Sequence, residues 1–310
     1  MQFDYATAFA RNIGFLSEVE QERLRGTRVA IAGLGGTGGA QVHGLARMGI
    51  GAFNLADPDT FELINFNRQL GATMATIGRH KVEVCEEIVH GINPDAEVRL
   101  FPSGIAPDNI HEFLTDVDVI VDSLDFYCFE ARFLLYAAAR ERGLWVLTAP
   151  PLGFGFTLLV FDPKGMRFED YFGFSKGMPE RELVIALIAG VAPKPFLMRY
   201  LSLSETEMKQ GSMPSVGAAP MMIAGVIATE VVNQITRKTP PLAVPTVIQY
   251  DALLRKFRRR TYPLGMRGPI QTLKKAILRK KPALRPYKRS GTPWTQPDRR
   301  GTTIWMQNGI

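Results

Sequence analysis

The chain has 310 residues, 46% of them hydrophobic, with two cysteines and a formal net charge of +7. That is enough apolar material for a sizeable core in one large domain or two small ones, while two cysteines exclude a disulfide framework or a CxxC…CxxC zinc site. The charge is uneven: residues 255–310 hold 16 Lys or Arg against one acid, Asp298, net +15, and the preceding 254 residues are net −8.

In chain order, residues 1–11 carry Asp4 and lack an apolar run, so no secretory signal is expected. Glu18–Arg25 reads as a short helix. Arg28–Ala32 reads as a buried strand running into Gly33-Leu-Gly-Gly-Thr-Gly38; residues 39–48 continue as a helix, and Ala52–Ala56 is a second strand closing on Asp57-Pro-Asp59. Lys81–His90 then reads as a helix, 98–101 and 117–122 as strands, 129–142 as a helix and 144–148 as a strand. Strands alternating with helices at these lengths predict an α/β fold with a doubly wound, mostly parallel sheet and helices on both faces.

After Pro150-Pro151 the pattern changes. Gly155–Phe161 reads as a strand, and 163–215, rich in Met, Gly and Pro, reads as an irregular crossover facing substrate. Residues 216–235 form the longest apolar run; Pro220, Glu230 and Asn233 interrupt it, so a buried helix is expected over 220–236 and no membrane span. Thr246–Asp251 and Lys256–Thr261 read as a closing antiparallel hairpin. The expected organisation is one domain over 1–261 followed by a basic, proline-containing extension over 262–310. Such an extension attracts a polyanion such as tRNA, or an acidic partner, or is a solvated end.

Gly33, Gly35 and Gly38 satisfy G-x-G-x-x-G after a strand and at the opening of a helix, where glycine permits the turn and a helix N-terminus offers N–H groups to phosphate. Asp57, 19 residues after Gly38, stands where an acid binds ribose hydroxyls. By themselves these features mean a nucleotide, and most often NAD.

The residues that follow are not dehydrogenase-like. Asp57-Pro-Asp59-Thr-Phe-Glu-Leu-Ile-Asn65-Phe-Asn-Arg68-Gln69 with downstream Lys81 resembles the D-x-D-x-x-x-x-x-N-x-x-R-Q block of the ThiF, MoeB and HesA adenylyltransferases, relatives of ubiquitin-activating enzymes. Gly35-Gly36 matches their doubled glycine, Val121-Asp-Ser-Leu-Asp125 resembles their strand-end D-x-x-D, and Phe9-Ala-Arg11-Asn-Ile13 resembles their N-terminal R-Q-I. The similarity continues through 220–261. It implies ATP as cosubstrate, held by Gly33, Gly35, Gly36, Gly38, Asp57, Asp59, Asn65 and Gln69, with Arg68 and Lys81 as the phosphate charges. It implies Mg²⁺ on Asp125, a ligand of suitable hardness, and a homodimer in which Arg11 reaches the partner's nucleotide.

Three departures stand out. Phe126 replaces the family's Asn, the zinc-binding CxxC pairs are missing so no zinc is expected, and no cysteine follows Cys128 to act as a crossover nucleophile. Cys85 shares a helical face with Val82, Ile88 and Val89 and reads as core, and Cys128 as a packed helix start. The expected function is activation of a carboxylate, at the C-terminus of a ubiquitin-like protein or a peptide, as an acyl-adenylate in a reducing cytoplasm. The alternatives are ATP-dependent cyclisation of a carboxylate on a modified tRNA adenosine and, outside the family, a NAD-binding oxidoreductase or a silent nucleotide-binding module.

Overall fold

The computed structural model describes residues 2–202 and 214–280. Five short apolar runs form parallel strands: β1 (Arg28–Ala32), β2 (Ala52–Ala56), β3 (Glu97–Phe101), β4 (Val119–Asp122) and β5 (Trp145–Thr148), in spatial order β3-β2-β1-β4-β5. The sheet continues antiparallel through β7 (Gly155–Phe161), β8 (Thr246–Asp251) and β9 (Lys256–Thr261), and the two-residue β6 (Pro151–Leu152) pairs with β7. Ala32 lies opposite Ala56 on one side and Asp122 on the other, so three strands end level. Chain order reverses between β1 and β4, and open α/β sheets hold ligands beyond the strand ends at such a point.

Helices cover both faces. Alternate residues of β1 point to opposite sides: Val29 and Ile31 join a core with Leu24 of α2 (Glu18–Arg25), Leu45 of α3 (Gly38–Arg47), Cys85 of α4 (Lys81–His90) and Ile223 of α9 (Ala218–Thr236). Ala30 and Ala32 face the other core, built by Phe113 of α5 (Ile110–Phe113), Leu135 of α6 (Phe129–Glu141), Tyr171 of α7 (Phe168–Phe172) and Leu187 of α8 (Glu180–Val191). The N-terminal α1 (Tyr5–Ala8) is pinned by Tyr5, whose hydroxyl donates to the Gly49 carbonyl at 2.6 Å. Glu18–Arg25 is helical because Ser17 and Glu20 complete a capping box at its start.

The expected elements are present with ends displaced by one or two residues. The main correction concerns 163–215: it contains α7 and the twelve-residue α8, so the stretch is not irregular. Helix α8 is apolar nearly all round, with Val184, Ile185, Leu187 and Ala189 buried, and therefore lacks the one-sided periodicity by which a surface helix is read. The residues after Tyr262 also begin with order: α10 (Pro269–Arg279) starts on a proline at its first turn and is fastened to α8 by Arg279 and Glu182, 2.9 Å apart. Residues 203–213 of the crossover and 281–310 of the basic extension lie outside the described residues. Helix α9 is long and apolar enough to cross a membrane by composition. Its Ile223, Ile227 and Val231 are fully buried, and it packs against α3 and the sheet as a core helix.

Candidate nucleotide site

The site begins where β1 ends. Gly33 has φ +90°, open to glycine and strained for other residues, and a Cβ there would overlap the main chain of Ser123 beyond β4. A Cβ on Gly38 would overlap the Gly33 carbonyl. The two glycines thus let the turn fold on itself and touch the neighbouring strand end. Helix α3 opens here on Thr37, which makes no side-chain cap; Gly39 N–H donates to the Gly35 carbonyl at 3.4 Å, and a helix start of this kind offers its remaining N–H groups to an anion. Gly38→Ala is expected to cost about 1–3 kcal/mol through overpacking; urea unfolding would measure it, and an unchanged midpoint would mean the turn relaxes without penalty.

Asp57 fixes the turn from the β2 side. Its Oδ2 accepts the Leu34 N–H at 2.6 Å and its Oδ1 accepts the Asp59 N–H at 2.9 Å. Burial pushes its carboxyl up, and Lys81 with these two N–H groups pulls it back. The chain from 59 to 81 is folded back by a clasp: Phe61 N–H donates to the Arg79 carbonyl at 3.0 Å, and Lys81 N–H to the Asp59 carbonyl at 3.1 Å. Lys81 therefore begins α4 beside the two acids, its Nζ 3.0 Å from Asp59 Oδ2 and 3.8 Å from Asp57 Oδ1. A buried ammonium at a helix N-terminus opposes the helix dipole, and the paired carboxylates offset that cost.

Gln69 and Arg68 line the other wall. A Cβ on Gly35 would stand 3.7 Å from Gln69 Nε2, and one on Gly36 would stand 3.6 Å from Arg68 Cγ. Gln69 is buried, and its Oε1 has no hydrogen-bond partner among the described residues, an acceptor suited to a donor such as a ribose hydroxyl. Arg68 donates to the Ile64 carbonyl at 2.8 Å and to Asn67 Oδ1 at 3.0 Å. Asn65 is buried with its Oδ1 accepting the Glu62 N–H at 3.0 Å, so it shapes the segment that carries Arg68 and Gln69. Glycine cradle, orphan acceptor and buried lysine fit a nucleoside polyphosphate.

Asp125 is exposed three residues beyond β4, joined to the turn through Ser123, and its Oδ1 accepts the Phe126 N–H at 2.6 Å. Arg11 is exposed on the turn Ala10–Asn12, beside Phe15 at 89% exposure, and no hydrogen bond or ion pair among the described residues links it to the cluster. The structure thus brings the glycines, Asp57, Asp59, Lys81, Arg68 and Gln69 together, sets Asp125 at the rim, and leaves Arg11 apart.

Two features escaped the sequence reading. Ser123 hydroxyl donates to Gln41 Oε1 of α3 across the crevice, and Gln41 Nε2 has no hydrogen-bond partner among the described residues. Beneath the Asp125 loop, Arg132 of α6 donates from Nε to Asp122 Oδ2 at 2.9 Å and from Nη2 to the carbonyls of Leu124 at 2.7 Å and Asp125 at 3.2 Å. Tyr136 hydroxyl donates to the same Asp122 oxygen at 3.1 Å; burial, then Asp122, pushes its pKa well up and keeps it a donor. Asp122 was visible in the strand-end motif, but ten residues separate it from Arg132 and no local spacing signals the pair. The expectation for Cys85 holds: it is fully buried, and burial, then Asp57, pushes its thiol up to about 12, far from a reactive thiolate. A cavity of about 440 Å³ opens at the opposite ends of the strands, against Arg23, Trp145, Gln234 and Arg237. It lies away from the glycine turn.

Known proteins resemble this chain in sequence and in fold. The ThiF family profile matches residues 9–265. The tRNA threonylcarbamoyladenosine dehydratase of Haemophilus influenzae is 38% identical over 120 residues, 38% of this chain and 46% of that protein. The sulfur carrier protein adenylyltransferase of Thermus thermophilus is 27% identical over 256 residues, 81% of this chain and 84% of that protein. The chain spans about half the length of the first curated relatives it matches. In fold it is similar to PaaA (TM-score 0.64, 20% identity, 84% of this chain and 74% of that one). It is also similar to Escherichia coli MccB solved with ATP (TM-score 0.59, 20% identity, 80% and 67%).

Proposed function

The chain belongs to the ThiF family, and from that premise we propose that it is an ATP-dependent adenylyltransferase that joins a substrate carboxylate to the α-phosphate of ATP and releases pyrophosphate. The observation that carries the reading is the buried Lys81 held by Asp57 and Asp59 under a glycine turn, with Arg68 and Gln69 on the facing wall. A dehydrogenase has no need of two cations on a polyphosphate.

In this reading Gly33, Gly35, Gly36 and Gly38 cradle the nucleotide, Asp57 and Asp59 take the ribose side with Gln69, and Asn65 braces them. Lys81 and Arg68 neutralise the phosphates and stabilise the departing pyrophosphate, which is chiefly electrostatic work. Asp125 would hold Mg²⁺, which is commonly bound by one or two carboxylates with phosphates and waters completing its shell; the ion supplies charge neutralisation there. Arg11 would reach the nucleotide of a partner subunit in a homodimer, a role favoured by the exposed apolar side chains around it, Ile13, Phe15 and Val19.

The substrate favoured is the C-terminal carboxylate of a ubiquitin-like protein or peptide in a reducing cytoplasm. A second reading, cyclisation of a carboxylate on a modified tRNA adenosine, is favoured by the 38% identity to a tRNA-modifying relative and by the basic residues 255–310. ATP–pyrophosphate exchange with Mg²⁺, run separately with ubiquitin-like proteins, short peptides and bulk tRNA, is expected to depend on one of them. Exchange with tRNA alone selects the second reading, and NAD binding without ATP binding overturns both.

A further inference from the structure

We propose that the outer edge of β9 captures an extended acidic polypeptide segment, which adds to the sheet as a further antiparallel or parallel strand. β9 ends the sheet, and among the described residues no strand pairs with its outer edge. An unpaired edge presents a row of N–H and C=O groups, and an extended peptide is the ligand that satisfies such a row.

The side chains along this edge select for acid. Lys256, Arg258 and Arg260 alternate on one face, opposite Asp251, Gln249 and Val247 of β8, and Arg259 lies on the other. No acid occurs in β9. Asp251, opposite Lys256, is buried with its carboxylate taken by the Tyr200 hydroxyl at 2.8 Å and the Leu254 N–H at 2.9 Å.

Charge on an edge strand also serves to prevent pairing between copies, and three exposed lysines or arginines would be enough for that. Two observations exceed this need. Arg258, whose side chain hydrogen-bonds Tyr262, keeps its Nε buried with no hydrogen-bond partner among the described residues. Lys274 of α10 sits close enough to Arg258 and Lys194 that burial, then these two cations, lower its pKa, while its Nζ donates to the Pro193 carbonyl at 2.5 Å. Lys194 N–H donates at 3.0 Å to Oε1 of Gln249, the cross-strand neighbour of Arg258, and Lys274 is tied to the adjoining Pro193, so three cations drawn from β9, α10 and the chain after α8 gather in one place, an arrangement a carboxylate between them would relieve. RNA offers phosphates to the cations but cannot pair with a strand edge, so the combination favours polypeptide.

Five strand spacings, about 24 Å, separate the added strand from β4, a gap that about seven extended residues cross. The segment captured on β9 would therefore lie at least that far along the chain from a carboxylate reacting in the crevice. This last placement rests on the carboxylate-activating reading; capture itself does not.

The test uses the full chain without ATP. A fluorescein-labelled peptide of alternating Glu and Val is expected to raise its anisotropy on binding, to bind about tenfold more weakly to Arg258→Glu/Arg260→Glu, and to protect the amides of 256–261 from hydrogen exchange. Lys256→Gln, at an exposed position, repeats the test with little risk to folding and is expected to weaken binding less. Unchanged affinity in both variants, binding without protection of 256–261, or capture of oligouridylate in place of the peptide would overturn the proposal. Pyrophosphate exchange is read in a separate assay, so loss of capture with exchange intact, and the converse, are distinguishable.

Discussion

Asp125→Ala is expected to reduce Mg²⁺-dependent pyrophosphate exchange by on the order of 10²-fold or more while leaving the melting temperature close to wild type. The rate loss follows from the work assigned to this carboxylate: removing one fixed electrostatic contact to charge that develops during reaction costs about 3–4 kcal/mol, and each 1.36 kcal/mol is about tenfold in rate. The small stability effect follows from position. Asp125 is exposed on a loop, and surface substitutions away from a core or cap are usually within about 0.5 kcal/mol. Asp125→Asn keeps the acceptor for the Phe126 N–H and removes the charge, so it separates the metal role from loop geometry. Normal turnover in both variants would remove Asp125 from the metal site.

Arg132→Met is expected to act the other way, chiefly on stability. It leaves Asp122 buried without its guanidinium and releases the carbonyls of Leu124 and Asp125. Breaking a buried pair by removing one partner costs about 3–5 kcal/mol because the other charge stays uncompensated, a fall of melting temperature on the order of 10 °C for a domain of this size. Adding Asp122→Asn should recover much of that loss, and the double-mutant cycle gives the coupling directly. If the double variant is no more stable than Arg132→Met, charge pairing is not what holds the strand end. Exchange activity in the double variant then reports how far a loosened loop misplaces Asp125.

How much of this was legible in the sequence depended on whether the governing interaction was local. The parallel half was readable because β1, β2 and β4 are short apolar runs, the first two bounded by glycine, Asp57 because its spacing from the glycine turn marks its place, and Lys81 because it follows the family-like block that begins at Asp57. Helix α8 was not, since burial on all sides removes the periodicity that marks a helix. The Gln41–Ser123 bond and the Asp122–Arg132–Tyr136 network were invisible for a different reason. Gln41 and Ser123 meet only after β1 and β4 pair, Asp122 meets Arg132 and Tyr136 only once α6 folds back against the end of β4, and a polar residue inside a helix carries no mark of the strand end it will reach. Sequence spacing also could not foresee that Lys81 rests on both acids, because that depends on the 59–81 clasp.

Helix α9 lies over α3, although about 170 residues separate them in the chain, and it closes the core containing Leu45 and Val42. During synthesis, the first five strands and their crossover helices therefore emerge with an apolar flank uncovered until residue 236 has left the ribosome. Exposed flanks of this kind are where nascent chains aggregate or recruit chaperones. The late helix acts as a clasp that ends this vulnerable interval, and the antiparallel hairpin after it completes the sheet from neighbours already in place.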